Sequence, residues 1–161
     1  MDVRPVTPAD KPAIERLMHS EWGSTVMVSR GVLYHPVELP GFVAEEEGEV
    51  VGFVTYHLAA GECQVVTIDA LRPFQGIGTQ LITAVGQAAQ AAGCRRLWLI
   101  TTNDNLPALR FYQRRGFTLV AIHRNALAHS RQIKPEIPLI GLNGIPLRDE
   151  IELEMILPTA E

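Results

Sequence analysis

The sequence has few of the features that mark secreted, membrane-spanning or nucleic-acid-binding proteins. Its two cysteines, Cys63 and Cys94, form no metal-ligand spacing and are expected to be free thiols in a reducing cytoplasm. With 14 Lys and Arg against 18 Asp and Glu, the net charge of -4 argues against a general nucleic-acid binder. The apolar runs are far too short for a membrane span, and the first residues show no signal-peptide pattern.

What remains is the composition of an ordinary globular protein. A chain of 161 residues is expected to form one domain, residues 1–161, and to bury roughly two thirds of its unfolded surface. No metal site is expected, because His19, His35, His123 and His129 show no paired ligand spacing.

The most informative stretch of the chain is residues 66–80. It begins as a strand around Ile68, and Pro73 cannot continue a strand interior because it lacks an amide hydrogen. Gly76 and Gly78 then allow positive φ and a close approach of the backbone. A glycine turn that leads into a helix suits a phosphate, because the first helical amides are unpaired and the helix dipole is positive there. Alone, this turn is equally compatible with a plain tight turn.

The rest of the chain is predicted to alternate strands with helices. The predicted strands cover residues 3–6, 42–46, 50–58, 62–71, 97–101, 117–124 and 149–157. The predicted helices begin after Thr7, at Gly78 and after Asn105, and they end near Ser20, at Gly93 and at Gly116. Residues 21–40 are predicted to be a loop with a short helix at 25–29, and 133–148 a long, stiff connection. The passage from strand 62–71 to strand 97–101 should join parallel neighbours in a layered α/β or α+β domain.

A second motif lies on the helix that follows residue 105. Asn105, Ala108 and Tyr112 stand at i, i+3 and i+7, so all three lie on one face of the helix. That face combines an amide, a small side chain and a phenol, and Gly116-Phe117 follows the helix.

Together with Gln75-Gly76-Ile77-Gly78, this motif resembles the GNAT superfamily of N-acetyltransferases over about residues 2–123 and the final strand. The glycine turn is similar to the family's acyl-CoA pyrophosphate loop, R/Q-x-x-G-x-G/A, except that Pro73 takes the first position after Arg72. The resemblance implies the GNAT fold. This fold has a central, mostly antiparallel mixed sheet of about seven strands, splayed at the acyl-CoA cleft, with helices on both faces.

The resemblance also implies acetyl-CoA as cosubstrate and assigns the residues that bind it. Backbone groups of Ile68 and Ala70 would meet the pantetheine amides, and the amides from Phe74 to Thr79 would hold the pyrophosphate. The implied binding residues are Ile68, Ala70, Phe74, Gln75, Gly76, Ile77, Gly78, Thr79, Asn105, Ala108 and Tyr112. Tyr112 would protonate the departing CoA thiolate. Glu62, at the offset from Gly76 where histone-type members carry their general base, would deprotonate the amine.

The expected reaction is direct attack of a primary amine on the acetyl thioester. An amine with a pKa near ~10 is mostly protonated at neutral pH, so a carboxylate must remove its proton. Glu62 has the strand parity of Ile68 and is expected to face the same side as the acyl group. A backbone amide near Ile68 is expected to stabilise the oxyanion of the tetrahedral intermediate.

Alternatives remain for several of these residues. Asp69, His57 and Glu45 are other candidates for the base, although structural roles are common for such residues. Asn105 is also expected as a helix cap, and Tyr112 has the alternative of an ordinary half-buried tyrosine. The rival function is a non-catalytic acyl-CoA-binding or regulatory module with the same fold. A dinucleotide-binding domain is excluded because the third glycine and the acidic residue of that pattern are missing.

The acceptor is not specified beyond a small amine, an amino acid or a protein amine. The resemblance places acceptor specificity in residues 21–40, which include Trp22 and Tyr34, and in residues 126–148. The apolar stretch that begins at Pro138 suggests either an acceptor lid or the contact of a homodimer.

Overall fold

The structure is a computed structural model that describes residues 1–71 and 75–158. In these residues the chain forms four α-helices and nine strands. The helices are α1 (Lys11–Trp22), α2 (Ile77–Ala91), α3 (Leu106–Arg114) and α4 (Ala126–Ile133). The strands are β1 (Asp2–Pro5), β2 (Met27–Ser29), β3 (Val32–Tyr34), β4 (Gly41–Glu46), β5 (Glu49–Ala59), β6 (Glu62–Ala70), β7 (Arg96–Thr102), β8 (Thr118–His123) and β9 (Glu150–Ile156). Within the same residues, none of the helices has the length and apolar character that a membrane crossing requires.

Seven of the strands form one mixed sheet in the order β1-β4-β5-β6-β7-β9-β8. Neighbours run antiparallel except β6 and β7, whose parallel pairing confirms the predicted strand-helix-strand crossover through α2. That pairing covers only residues 62–65 against 96–99. Beyond it, β6 stays with β5 as far as Ala70 and β7 stays with β9 as far as Thr102. The two strands therefore separate, and the predicted splayed sheet is confirmed.

A β-bulge at Val66 divides β6 into two halves. Thr55 on β5 pairs with Thr67, but the next residue of β5, Tyr56, pairs with Val65, so Val66 is left as the extra residue. One extra residue reverses the alternation of side chains along a strand.

The bulge changes which residues of β6 share a face. Cys63 and Val65 before the bulge and Ile68 after it all pack into the core beneath α2. Glu62 alternates with Cys63 and therefore lies on the opposite face from Ile68. The expectation that Glu62 and Ile68 share a face, which rested on unbroken alternation, is wrong.

Helices cover both faces of the sheet, as predicted. On one face, Ile14 and Met18 of α1 pack on Val43 and Phe53. On the other face, α2 and α3 cover a larger core. The buried residues of this larger core include Val54, Val65, Leu81, Val85, Leu97, Leu99, Tyr112 and Leu153.

The predicted short helix over residues 25–29 is wrong. Strands β2 and β3 form a hairpin instead. Arg30 and Gly31 make its turn with positive φ values of 48° and 75°, a conformation that suits a two-residue hairpin turn. Nε2 of Gln64 on β6 donates a hydrogen bond to Oγ of Ser29 at 2.9 Å, which anchors the hairpin over the sheet.

Helix α4 is absent from the sequence-based prediction, and only two of its residues, Leu127 and Ser130, are buried. The structure holds it in place through polar contacts. Arg131 donates hydrogen bonds to the carbonyl oxygens of Pro138 and Leu147, and so fixes the connection that follows.

Candidate active site

The separation of β6 and β7 opens a cleft of about 840 Å³. Its walls come from the second half of β6, the end of β7, the first turn of α2 and one face of α3. Of the predicted binding residues, those that line it are Ile68, Ala70, Gly76, Ile77, Gly78, Thr79, Asn105, Ala108 and Tyr112. Gln75 is exposed beside the turn, and Phe74 lies outside the described residues, as do Arg72 and Pro73.

The glycine turn has the geometry of a backbone anion site. Gly76 is the residue before α2 and has a φ of 76°, which favours glycine. A Cβ atom at Gly78 would lie 2.9 Å from the ring of Phe111, so glycine lets α2 approach α3 closely. The amides of the first turn of a helix have no partner within the helix, and the dipole adds positive potential there. This part of the cleft therefore favours a phosphate group.

The predicted face of α3 borders the cleft. Oδ1 of Asn105 accepts a hydrogen bond from the Ala108 amide at 3.2 Å, so Asn105 caps the helix while it lines the cleft. Tyr112 is only 7% exposed and packs edge-to-face against Phe111 and Phe117. Burial raises the pKa of the Tyr112 phenol above its ordinary value, so the hydroxyl keeps its proton at neutral pH.

Three arginines of the cleft were missed by sequence reasoning. Arg110 lies within the motif on α3, Arg114 and Arg115 follow Tyr112, and all three line the cleft. Nε of Arg115 donates to Oγ1 of Thr79 at 2.8 Å, and its guanidinium lies 3.7 Å from the centre of the Phe111 ring. Positive charge therefore stands beside the glycine turn. The sequence feature that could have indicated this basic surface is the four-residue spacing of Arg110 and Arg114, which places the two side chains on the same side of a helix.

Glu62, the predicted general base, is not among the residues that line the cleft. It lies at the start of β6, and its carboxylate pairs with Arg95 at 2.5 Å and with Arg96 at 3.2 Å. The structure therefore gives Glu62 two cationic partners and does not bring it together with Ile68 and Tyr112.

The alternative bases differ in position. Glu45 pairs with Arg4 on β1, and the His57 ring packs against Tyr34, so both lie outside the cleft lining. Asp69 does line the cleft. Among residues 1–71 and 75–158, no three His, Cys, Asp or Glu side chains form a group that could hold a metal ion.

The two segments expected to shape the acceptor side both reach the cleft. Trp22, Met27, Val28 and Leu127 contribute apolar surface. The exposed side chains of the stretch that begins at Pro138 lie elsewhere, since none of its residues lines the cleft.

Comparison with known proteins agrees with this geometry. The chain matches the model of the Acetyltransferase (GNAT) family over residues 12–117. It is 40% identical over 137 residues to the uncharacterized protein YdhI of Bacillus subtilis (strain 168), covering 84% of this chain and 86% of YdhI.

Solved structures show the same fold at lower identity. The IAA acetyltransferase from Bacillus cereus ATCC 14579 superposes with a TM-score of 0.76 at 23% identity, covering 97% of this chain and 99% of its own. A GNAT family acetyltransferase from Elizabethkingia anophelis with acetyl-CoA bound superposes with a TM-score of 0.67 at 23% identity, covering 97% of each chain. The family match spans more than half of the sequence and the fold agrees with it, so the chain belongs to the GNAT family of acetyltransferases.

Proposed function

We propose that the protein is an acetyl-CoA-dependent N-acetyltransferase that transfers the acetyl group to a primary amine. The observation that carries the proposal is that one cleft contains both the glycine turn before α2 and the Tyr112 phenol. A structural neighbour solved with acetyl-CoA bound supports the same cosubstrate.

The residues of the cleft fit acetyl-CoA at three points. The first-turn amides of Ile77 to Thr79 and the charge of Arg115 suit the pyrophosphate. Ile68 and Ala70 lie where β6 has lost β7 as a partner, so backbone on that side is open to the pantetheine amides. The side-chain nitrogen of Asn105 is left for the pantetheine arm, because Oδ1 is used in the helix cap.

Tyr112 is proposed as the general acid. A phenol with the ordinary pKa of 10.0 is already protonated at neutral pH, and burial raises the pKa of Tyr112 further. A buried donor near a departing thiolate lowers the barrier to C–S cleavage, because it supplies the proton as negative charge develops on sulfur.

Glu62 as the general base stays a prediction, and its contacts offer it no support. Its carboxylate is already held by Arg95 and Arg96, and it does not line the cleft.

The test measures CoA release from acetyl-CoA with a panel of primary amines for wild type, Tyr112→Phe and Tyr56→Phe. Tyr56 is a matched control, since it is a partly buried tyrosine on β5 outside the cleft lining. We expect Tyr112→Phe to bind acetyl-CoA normally but to lower kcat by about 100-fold, while Tyr56→Phe stays near wild type. If wild type binds acetyl-CoA and releases no CoA with any amine, the protein is a non-catalytic acyl-CoA-binding module.

A further inference from the structure

Asp69 has an unusual environment for a carboxylate. Its Oδ1 accepts a hydrogen bond from the Ala70 amide at 2.9 Å. Its Oδ2 is buried and, in the part of the chain that the structure describes, is the one buried side-chain oxygen or nitrogen without a hydrogen-bond partner. Buried polar atoms are nearly always partnered, because leaving one unpaired opposes folding. Asp69 therefore keeps an acceptor oxygen that the described residues do not use.

Neighbouring carboxylates already have partners. Glu150, which also lines the cleft, accepts hydrogen bonds from the side chain and the backbone amide of Arg30 at 3.1 and 3.2 Å. Glu152 pairs with Arg96 and with His123. Glu62 has its two arginines, as described above. Among the described residues that line the cleft, Asp69 is thus the carboxylate that no cation neutralises.

The bulge at Val66 also decides which face Asp69 occupies. Asp69 on β6 pairs with Phe53 on β5, and the Phe53 side chain lies on the face of the sheet that α1 covers. The Phe53 ring lies 6.0 Å from the ring of Trp22, which lines the cleft. Asp69 and Ile68 are adjacent in sequence but face opposite sides of the sheet. The carboxylate is therefore next to the backbone proposed to hold the acyl chain, on the side where Trp22 stands.

The electrostatic surroundings favour a base that works near neutral pH. Burial, and secondarily the like charge of Glu21 on α1, raise the pKa of Asp69 from 3.8 to about 6. Phe53, which pairs with Asp69 on β5, is uncharged. The other charged side chains that line the cleft among the described residues are Arg110, Arg114, Arg115 and Glu150. A carboxylate of this kind is mostly ionised at neutral pH and yet holds a proton more readily than an ordinary aspartate.

We propose that Asp69 is the general base, and that it takes a proton from the ammonium group of the acceptor directly or through one water. This proposal rests on the proposed acetyltransferase function, and it assigns the base to a residue other than Glu62.

The proton count closes with groups of the chain and solvent. The acceptor R–NH3+ gives one proton to Asp69, and the freed electron pair on nitrogen forms the C–N bond to the acetyl carbon. The C–S bond breaks, its electron pair leaves with sulfur, and sulfur takes a proton from Tyr112. The second proton lost from nitrogen restores the Tyr112 phenol through solvent, and Asp69 releases its own proton to water.

The kinetic test compares wild type with Asp69→Asn, Glu62→Gln and the matched control Asp2→Asn. Asp2 is exposed on β1, far along the sheet order from β6. The probe acceptor is 2-phenylethylamine, chosen because Trp22, Met27 and Leu127 present apolar surface in the same cleft as Asp69. We expect Asp69→Asn to lower kcat about 100-fold with unchanged acetyl-CoA affinity, and to remove the acidic limb of the pH–rate profile. Asp2→Asn is expected to match wild type. A large loss in Glu62→Gln with nearly full activity in Asp69→Asn would overturn the proposal.

A second readout needs no turnover. The Ala70 amide donates to the Asp69 carboxylate, so its chemical shift in a two-dimensional NMR titration reports the ionisation of that group. We expect a midpoint near pH 6 in wild type, no such transition in Asp69→Asn, and a lower midpoint in the presence of 2-phenylethylamine. A midpoint near the ordinary value of 3.8 that the amine does not move would contradict the proposal.

The two proposals fail in different ways. If wild type acetylates the amine and Asp69→Asn does so equally well, the general base is elsewhere and the transferase function stands. If wild type binds acetyl-CoA but acetylates no amine, the transferase function fails, and a general-base role for Asp69 fails with it even where the NMR titration shows the raised pKa.

Discussion

The two halves of β6, which meet at Val66, differ in their neighbours and in their carboxylates. The first half has a strand on each side, and its Glu62 is held by Arg95 and Arg96. Among residues 1–71 and 75–158, the second half is paired with β5 alone, and Oδ2 of its Asp69 has no hydrogen-bond partner. Pairing with β7 therefore divides β6 into a part that stabilises the sheet and a part that faces the cleft.

The largest expected effect is a loss of stability when the packing around the second half of β6 is disturbed. Gly52 on β5 pairs with Ala70, and a Cβ atom there would lie 2.8 Å from Ile77 and 2.9 Å from the backbone oxygen of Asp69. Gly52→Ala should lower the free energy of unfolding by about 2–3 kcal/mol, because a packed strand and helix must move apart. Urea denaturation measures this loss.

Gly86→Ala is the matched control for that substitution. Gly86 lies in α2, and among the described residues no atom outside its own stretch of helix lies within 4 Å of the added Cβ position. The control should stabilise the protein by about 0.5–1 kcal/mol, because alanine favours a helix interior over glycine. Equal stability of the two variants would show that the second half of β6 is not closely packed.

The next largest effect is on the affinity for acetyl-CoA, and it compares an arginine beside the glycine turn with an arginine beside the first half of β6. Arg115→Gln removes the cation beside the glycine turn and should weaken acetyl-CoA binding about 10-fold, or about 1.4 kcal/mol. Arg95→Gln removes a cation beside Glu62 and should leave the affinity unchanged. Titration calorimetry measures both, and a similar loss in the two variants would mean that the effect is one of overall charge.

A smaller effect is the pH dependence of stability. The pKa of Asp69 is raised in the folded protein, so its ionisation opposes folding, and the penalty grows as pH rises from the ordinary pKa of 3.8 through about 6. Asp69→Asn removes this penalty. After allowance for solvent screening, the variant should gain about 1 kcal/mol of unfolding free energy over wild type between acidic and neutral pH. Denaturation at several pH values tests this, and a difference independent of pH would contradict it.

The smallest expected effect is at the first half. Glu62→Gln breaks ion pairs with Arg95, whose side chain is 66% exposed, and with Arg96, which keeps its pairs with Glu152 and Glu154. Such pairs contribute little in water, so the loss of unfolding free energy should be below about 1 kcal/mol and should shrink at high salt. A loss larger than that of Gly52→Ala would reverse the comparison between the two halves.

Local sequence patterns were sufficient for much of the site. Gly76 and Gly78 predict a turn before a helix from their conformational freedom alone, and Asn105 and Tyr112 predict one helical face from their spacing. The sheet order near β6 and β7 also follows from the strand-helix-strand passage.

Features that depend on pairing between distant segments were not predictable. The bulge at Val66 is a property of how β6 meets β5, and it places Glu62 on the face opposite to Ile68, against the expectation. The β2–β3 hairpin owes its position to Gln64, which lies far along the chain. The arginine beside the turn, Arg115, is placed by α3 packing on α2 and contacts Thr79 only in the folded protein.

The most direct test of the account is a titration of the isotope-labelled protein with acetyl-CoA, followed by backbone amide chemical shifts. We predict that the large shifts occur in the second half of β6, in the first turn of α2 and at Asn105, while the amides of Glu62 to Val65 scarcely move. Large shifts confined to the first half of β6, or none at millimolar acetyl-CoA, would contradict it.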